Sequence, residues 1–274
     1  MRSELSHLRR SIIPRSAVIA LIALVSIGLA SCHRNEAGSR EILDAAWKGD
    51  TVRVQALLKE HPALVFSKDT RGGTALHFAV YGGHKDVAEL LLANKADVNA
   101  KTNTGATPLY YAADSDNRDI AALLLAKKAD VNSTDRHGET PLHWAVLKDY
   151  KDVAELLMAN KANVDAKDDD GVTPLYWAAD KGYKNMAKLL LANKANVNAR
   201  NHNGSTPLHA AAYYGHEDVA ELLLGNGADI NARTEYGTTP LHWAVLKGNK
   251  DVADLLREHG GVDTKGAGAS DRWW

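Results

Sequence analysis

Twelve histidines and one cysteine are the residues of this 274-residue chain that invite a chemical reading. Histidines could ligate a metal or serve as a general base, and a lone thiol could be a nucleophile. Their spacing argues otherwise. His77, His143, His209 and His242 each stand fourth in a Thr-x-Leu-His tetrapeptide, and Tyr110 and Tyr176 take that place in two intervening copies. A residue that recurs at a fixed place in a repeat reads as structural, and here it is expected to bond backbone between neighbouring units. His84 and His216, seven residues further on, read the same way. No H-E-x-x-H, G-x-S-x-G, P-loop or G-x-G-x-x-G pattern occurs. The one acidic run, Lys167 to Gly171 (KDDDG), has consecutive acids and no glutamate at calcium-loop spacing, so it reads as a solvated loop tip. The chain is expected to be no enzyme and to need no metal or cofactor.

The elements that position these residues follow from a strict beat. The tetrapeptides begin at Thr74, Thr107, Thr140, Thr173, Thr206 and Thr239, 33 residues apart each time. Thr107 is a helix N-cap, and Pro108 fits the first helical position, where its missing N–H costs nothing. Leu109, Ala112 and Ala113 then form a buried stripe. A second helix over Arg118 to Ala126 is expected to bury Ile120, Leu123 and Leu124. Asp130 to Gly138 returns as a hairpin loop with Gly138 at the turn. Neither helix pair can bury both faces alone, so units must stack.

Period and signature together resemble the ankyrin repeat family over about Arg40 to Asp263. The resemblance implies an all-α solenoid of about six full repeats plus an N-terminal capping repeat (REILDAAWKGDTVRVQALLKEHPALV), closed by a polar last helix. It also implies a protein-binding scaffold. The family usually has glycine after the second helix. Gly227 keeps it, whereas Lys95, Lys128, Lys161 and Lys194 replace it. If those backbones are left-handed, each lysine costs about 1 kcal/mol relative to glycine.

Such solenoids bind with the concave surface. Carrying one exposed register along the first helices gives three columns. Phe78, Tyr111, Trp144, Trp177, Ala210 and Trp243 form the first; Tyr81, Asp114, Leu147, Asp180, Tyr213 and Leu246 the second; Gly82, Ser115, Lys148, Lys181, Tyr214 and Lys247 the third. Five of the six entries in the first column are aromatic, which suits interface anchors. The same rings could instead lie along adjacent helices and close the stack. The loop tips add Arg71, Asn103, Arg136, His137, Asp169, Asp170, His202, Asn203, Glu235 and Tyr236, which vary from unit to unit.

The cysteine belongs to a different signal. Arg2, Arg9, Arg10 and Arg15 precede an uncharged run, Ala17 to Ala30, of fourteen residues. A membrane-spanning helix needs about 20, so the segment reads as a secretory signal peptide. Leu29-Ala30-Ser31-Cys32 resembles the lipobox of bacterial lipoproteins. That resemblance implies cleavage before Cys32, acylation of its sulfur, and a membrane anchor that a second acyl chain would make firm. His33 in place of an aspartate leans towards the outer membrane, facing the periplasm. The expected organisation is a signal peptide (1–31), lipidated Cys32 with a short tether (32–39), the repeat domain (40–263) and a flexible tail (264–274) with Trp273 and Trp274 unexplained. Residues 1–31 hold four arginines and one acid, so their removal takes the net charge from −1 to −4. That is no footprint for nucleic acid. The reading is a monomeric, lipid-anchored scaffold that binds an unidentified protein, for instance as an inhibitor or immunity factor for an enzyme or toxin. A glycan or peptidoglycan binder using the groove tryptophans is the alternative.

Overall fold

The computed structural model describes residues 37–265. Cys32, the lipobox and Trp273-Trp274 lie outside the described residues, so neither the anchor nor the end of the tail has a structural account here. Helix α1 (37–48) and α2 (Thr51–Glu60) form the first pair, followed by a 3-10 turn at Pro62–Phe66. Six further pairs follow. They are α3 (Ala75–Tyr81) with α4 (Lys85–Ala93), α5 (Pro108–Asp114) with α6 (Arg118–Ala126), and α7 (Pro141–Leu147) with α8 (Lys151–Ala159). After them come α9 (Pro174–Lys181) with α10 (Lys184–Ala192), α11 (Pro207–Tyr214) with α12 (Glu217–Gly225), and α13 (Pro240–Lys247) with α14 (Lys250–Glu258). No element among the described residues is a β-strand beyond one isolated bridge, Lys68 with Thr74. No described helix is long and apolar enough to cross a membrane.

Helices of seven to ten residues are too short to persist alone in water, so packing holds them. First helices pack on first helices and second on second. Ala79, Ala112, Ala145, Ala178, Ala211 and Ala244 recur at one fully buried place, and so small a side chain lets the first helices approach closely. The second row carries larger groups, among them Leu91, Leu124, Leu157, Leu190 and Leu223. The tighter first row therefore lies on the concave side. Leu76, Ala79 and Val80 are buried as the spacing predicts, as are Leu109, Ala112 and Ala113. Leu123 is only half-buried; Ala121 takes the buried place beside Ile120 and Leu124, because the small side chain faces the adjoining helix.

Three histidines tie units together. The His77 Nδ1 accepts from the Thr74 backbone N–H at 3.1 Å, so its Nε2 carries the proton and donates to the Ala106 carbonyl of the next unit at 3.2 Å. His143 and His209 repeat this with Val172 and Thr238. Burial lowers all three pKa values, to about 4 for His77 and His209. His242 departs from the expectation. Among the described residues no further unit stands beside it, and its Nδ1 meets the Asp263 carboxylate at 2.8 Å instead of a neighbour's backbone. His84 and His216 reach back, placing Nε2 on the carbonyls of Trp47 and Asp180.

The hairpin tips form a ladder of their own. Backbone N–H groups of Asn103, Arg136, Asp169, His202 and Glu235 donate to carbonyls of Arg71, Thr104, His137, Asp170 and Asn203 in the preceding hairpin, at 2.7–2.9 Å. Asp168 of the acidic run is a turn residue, its Oδ1 accepting from the N–H groups of Asp170 and Val172. Lys95, Lys128, Lys161 and Lys194 do adopt the left-handed backbone, with φ between 68° and 69°.

Candidate functional site

The first-column rings line the concave face half-buried, and the two readings of them prove compatible. Phe78, Tyr111 and Trp177 pack their inner edges on the core while keeping surface open to the groove. Trp144 and Trp243 are fixed by their indole N–H groups, which donate to the Glu139 carboxylate at 3.1 Å and the Thr238 hydroxyl at 2.9 Å. Burial raises the pKa of Glu139, with Asp135 adding to the effect. The third-column lysines lie across rings: Lys148 over Trp144, Lys181 over Trp177 and Lys247 over Tyr213, at 5.9, 5.4 and 4.2 Å. Lys148 also meets Asp114 at 3.7 Å, and Lys181 meets Asp180 at 3.0 Å.

At each end of the groove the first helices and the hairpin tips enclose a cavity. The N-terminal one, about 590 Å³, brings together Phe78, Tyr81, Tyr111, Arg71 and Asn103, all expected from the register. It adds Trp47, Asp69, Gly73, His77, Thr102 and Thr104. Trp47 stacks on Tyr81 at 5.6 Å, with an interplanar angle of 18°, and both rings are nearly half exposed. Tyr81 meets Tyr111 edge-on at 5.8 Å. The 33-residue register misses Trp47 because the first unit is one residue longer. Its buried Ile42, Ala45 and Ala46 match Leu76, Ala79 and Val80 at a spacing of 34, which puts Trp47 level with Tyr81. That alanine pair was the available signal.

The C-terminal cavity, about 380 Å³, gathers Asp180, Tyr213, Tyr214, Trp243, Asn203 and Tyr236, again from the register, with Ala210 at its floor. It adds Tyr176, Asn201 and Ser205. Tyr213 contacts Tyr214 at 4.8 Å and Trp243 at 5.2 Å, steeply inclined to both. Tyr176 corrects the view that the fourth cap place is purely structural. A phenol there makes no tie to the next unit's backbone like that of histidine, and its ring faces the groove. Tyr110 likewise lies over Trp144 at 5.1 Å. Burial raises the pKa of both phenols, with nearby carboxylates adding to it.

Leu147, Trp144, Lys148, Trp177 and Lys181 line neither of these two cavities and stand on the helices between them, with Lys148 meeting Asp114. Leu246 and Lys247 stand exposed on the last inner helix. Arg136, His137, Asp169, Asp170, His202 and Glu235 are exposed at the hairpin edge. Among the described residues no three of His, Cys, Asp and Glu converge as metal ligands.

A search of the curated proteins finds no match to this chain. The family described as ankyrin repeats matches it in three copies, over residues 42–135, 133–201 and 194–266. With that match covering most of the sequence, and with helix pairs that repeat every 33 residues, the chain belongs to the ankyrin repeat family.

Proposed function

We propose that this protein is a non-enzymatic scaffold whose concave groove binds one protein partner at the bacterial cell envelope, held there by lipid on Cys32. The observation that supports the groove reading most is the contrast within each unit. The buried frame is nearly constant, while the groove rings and hairpin tips change from copy to copy and enclose two aromatic cavities. Protein interfaces draw affinity from such semi-buried aromatic anchors ringed by polar groups. The hairpin ladder holds the tips before any partner arrives, which lowers the entropic cost of binding. The address rests on the lipobox and the uncharged run before it.

Photocrosslinkers placed at Leu147 and Lys148 in intact cells test the groove. A single protein adduct is expected, and it should vanish in the Trp144→Ala/Trp177→Ala double variant while thermal melting stays cooperative. Loss of folding in that variant would make the rings core instead. Retention on purified sacculi with no protein adduct would favour the glycan reading, for which the stacked, open Trp47–Tyr81 pair is a suitable platform. Labelled palmitate should enter the chain and fail to enter Cys32→Ala.

A further inference from the structure

The first ring column has one gap. Five units carry an aromatic side chain there, and the sixth carries Ala210, fully buried at the floor of the C-terminal cavity. The gap is walled by rings from three successive units, Tyr176, Tyr213 and Trp243 among them, with steep angles between neighbours. Asp180 is the only charged residue in that lining, and its side chain is 11% exposed. It also bears on the hydroxyls of Tyr176 and Tyr214.

We propose that this cavity receives an organic cation, the lysine or arginine side chain of the bound protein. Ring faces inclined to one another present negative quadrupole surface from several directions, which favours a cation over a neutral group. A carboxylate withdrawn among them favours one further, because it offers a charge-assisted hydrogen bond to an ammonium or guanidinium group. Its present partner, Lys181, is 41% exposed, and such a surface pair is weak enough to yield or share. Lys247 already sits 4.2 Å above Tyr213, so this ring attracts an ammonium group within the chain itself. The N-terminal cavity is larger, and there the one lining carboxylate, Asp69, is offset by Arg71 in the same lining, 3.8 Å away. The proposal rests on the groove being a protein-binding surface.

The test uses the full chain without its partner. The indole N–H resonance of Trp243 is followed while N-acetyl-lysine methylamide, N-acetyl-arginine methylamide or uncharged N-acetyl-norleucine methylamide is added. The two cations are expected to shift it saturably, with norleucine at least tenfold weaker. Asp180→Asn should weaken the cations at least fivefold and leave norleucine unchanged. Ala210→Trp, a residue that two neighbouring units already carry at this place, should close the cavity and abolish binding while melting cooperatively. Norleucine binding as well as lysine, or indifference to Asp180→Asn in a folded variant, would overturn the cation reading. Tetramethylammonium binding far more tightly than either side-chain mimic would overturn the partner as source and point to a free quaternary ammonium compound. Cation binding without any crosslinked protein in cells would instead sink the groove function and leave the site standing. A crosslinked protein with no cation binding would do the reverse.

Discussion

The backbone of each unit turns left-handed at its hairpin tip and beyond its second helix, as well as between its two helices, and the first two places treat the same dihedral differently. At the hairpin edge Gly72, Gly105, Gly138, Gly171, Gly204 and Gly237 hold the position without exception. At the edge beyond the second helix four lysines occupy it at nearly the same φ. The difference is the neighbour. A Cβ on Gly138 would meet the Asp169 backbone nitrogen at 2.9 Å, and one on Gly105 would meet the Asp135 backbone at 3.0 Å. A Cβ on Gly227, at the other edge, would meet nothing within 4 Å. A left-handed backbone alone costs about 1 kcal/mol and is tolerated, whereas the same backbone pressed against the next unit admits only glycine. The hairpin edge is therefore where backbones of successive units press together, and the outer edge is where side chains alone join them. There, side chains such as Asn132 bridge units in solvent, accepting from the Asn163 N–H at 2.7 Å.

Acid should break the interlocked edge most. His77, His143 and His209 are neutral when folded, with Nδ1 acting as acceptor, and their folded pKa values lie below the ordinary 6.5. The unfolded chain takes up protons below 6.5 and the folded chain does not. Their contribution is thus full above pH 6.5 and is lost as pH falls from there towards about 4. The loss is on the order of a few kcal/mol in total. Melting followed by circular dichroism at pH 7 and pH 5 should show a clear fall in Tm, and equal values would mean the histidines do not hold the units together. Next in size, Gly138→Ala should cost about 2 kcal/mol, combining backbone strain with a clash that no rotamer relieves. A denaturant midpoint unchanged by that substitution would remove the distinction between the edges. Smallest, and of opposite sign, Lys128→Gly should raise stability by about 1 kcal/mol or less, since relief of strain is partly offset by the freer unfolded chain. A lower Tm would show that the outer edge is constrained after all.

The frame was legible because its signals are local and repeated. Thr107, Pro108 and the spacing of Leu109 with Ala112 each specify a helix start and a buried stripe without reference to the rest of the chain. The register also placed Phe78, Tyr81, Asp180 and Tyr213 beside cavities. It could not show the cavities, which exist only where side chains of consecutive units meet a particular hairpin. Trp47 was hidden by the extra residue of the first unit. Tyr176 was hidden by sharing its place with histidines whose imidazoles do something else. His242 followed the pattern in sequence and broke it in space, because its ring meets the Asp263 carboxylate where the others meet the next unit's backbone.

The thirty-fourth residue of the opening unit carries a lesson about growth. Every unit between the first and the last described is gripped on both sides, so an insertion of one would slide its rungs past those next door. Among the described residues the first unit has no predecessor to stay in step with, and there the surplus moves a tryptophan onto the rim. Lengthening or shortening of this molecule should therefore proceed by whole units within the stack, while single-residue experiments are confined to the first unit.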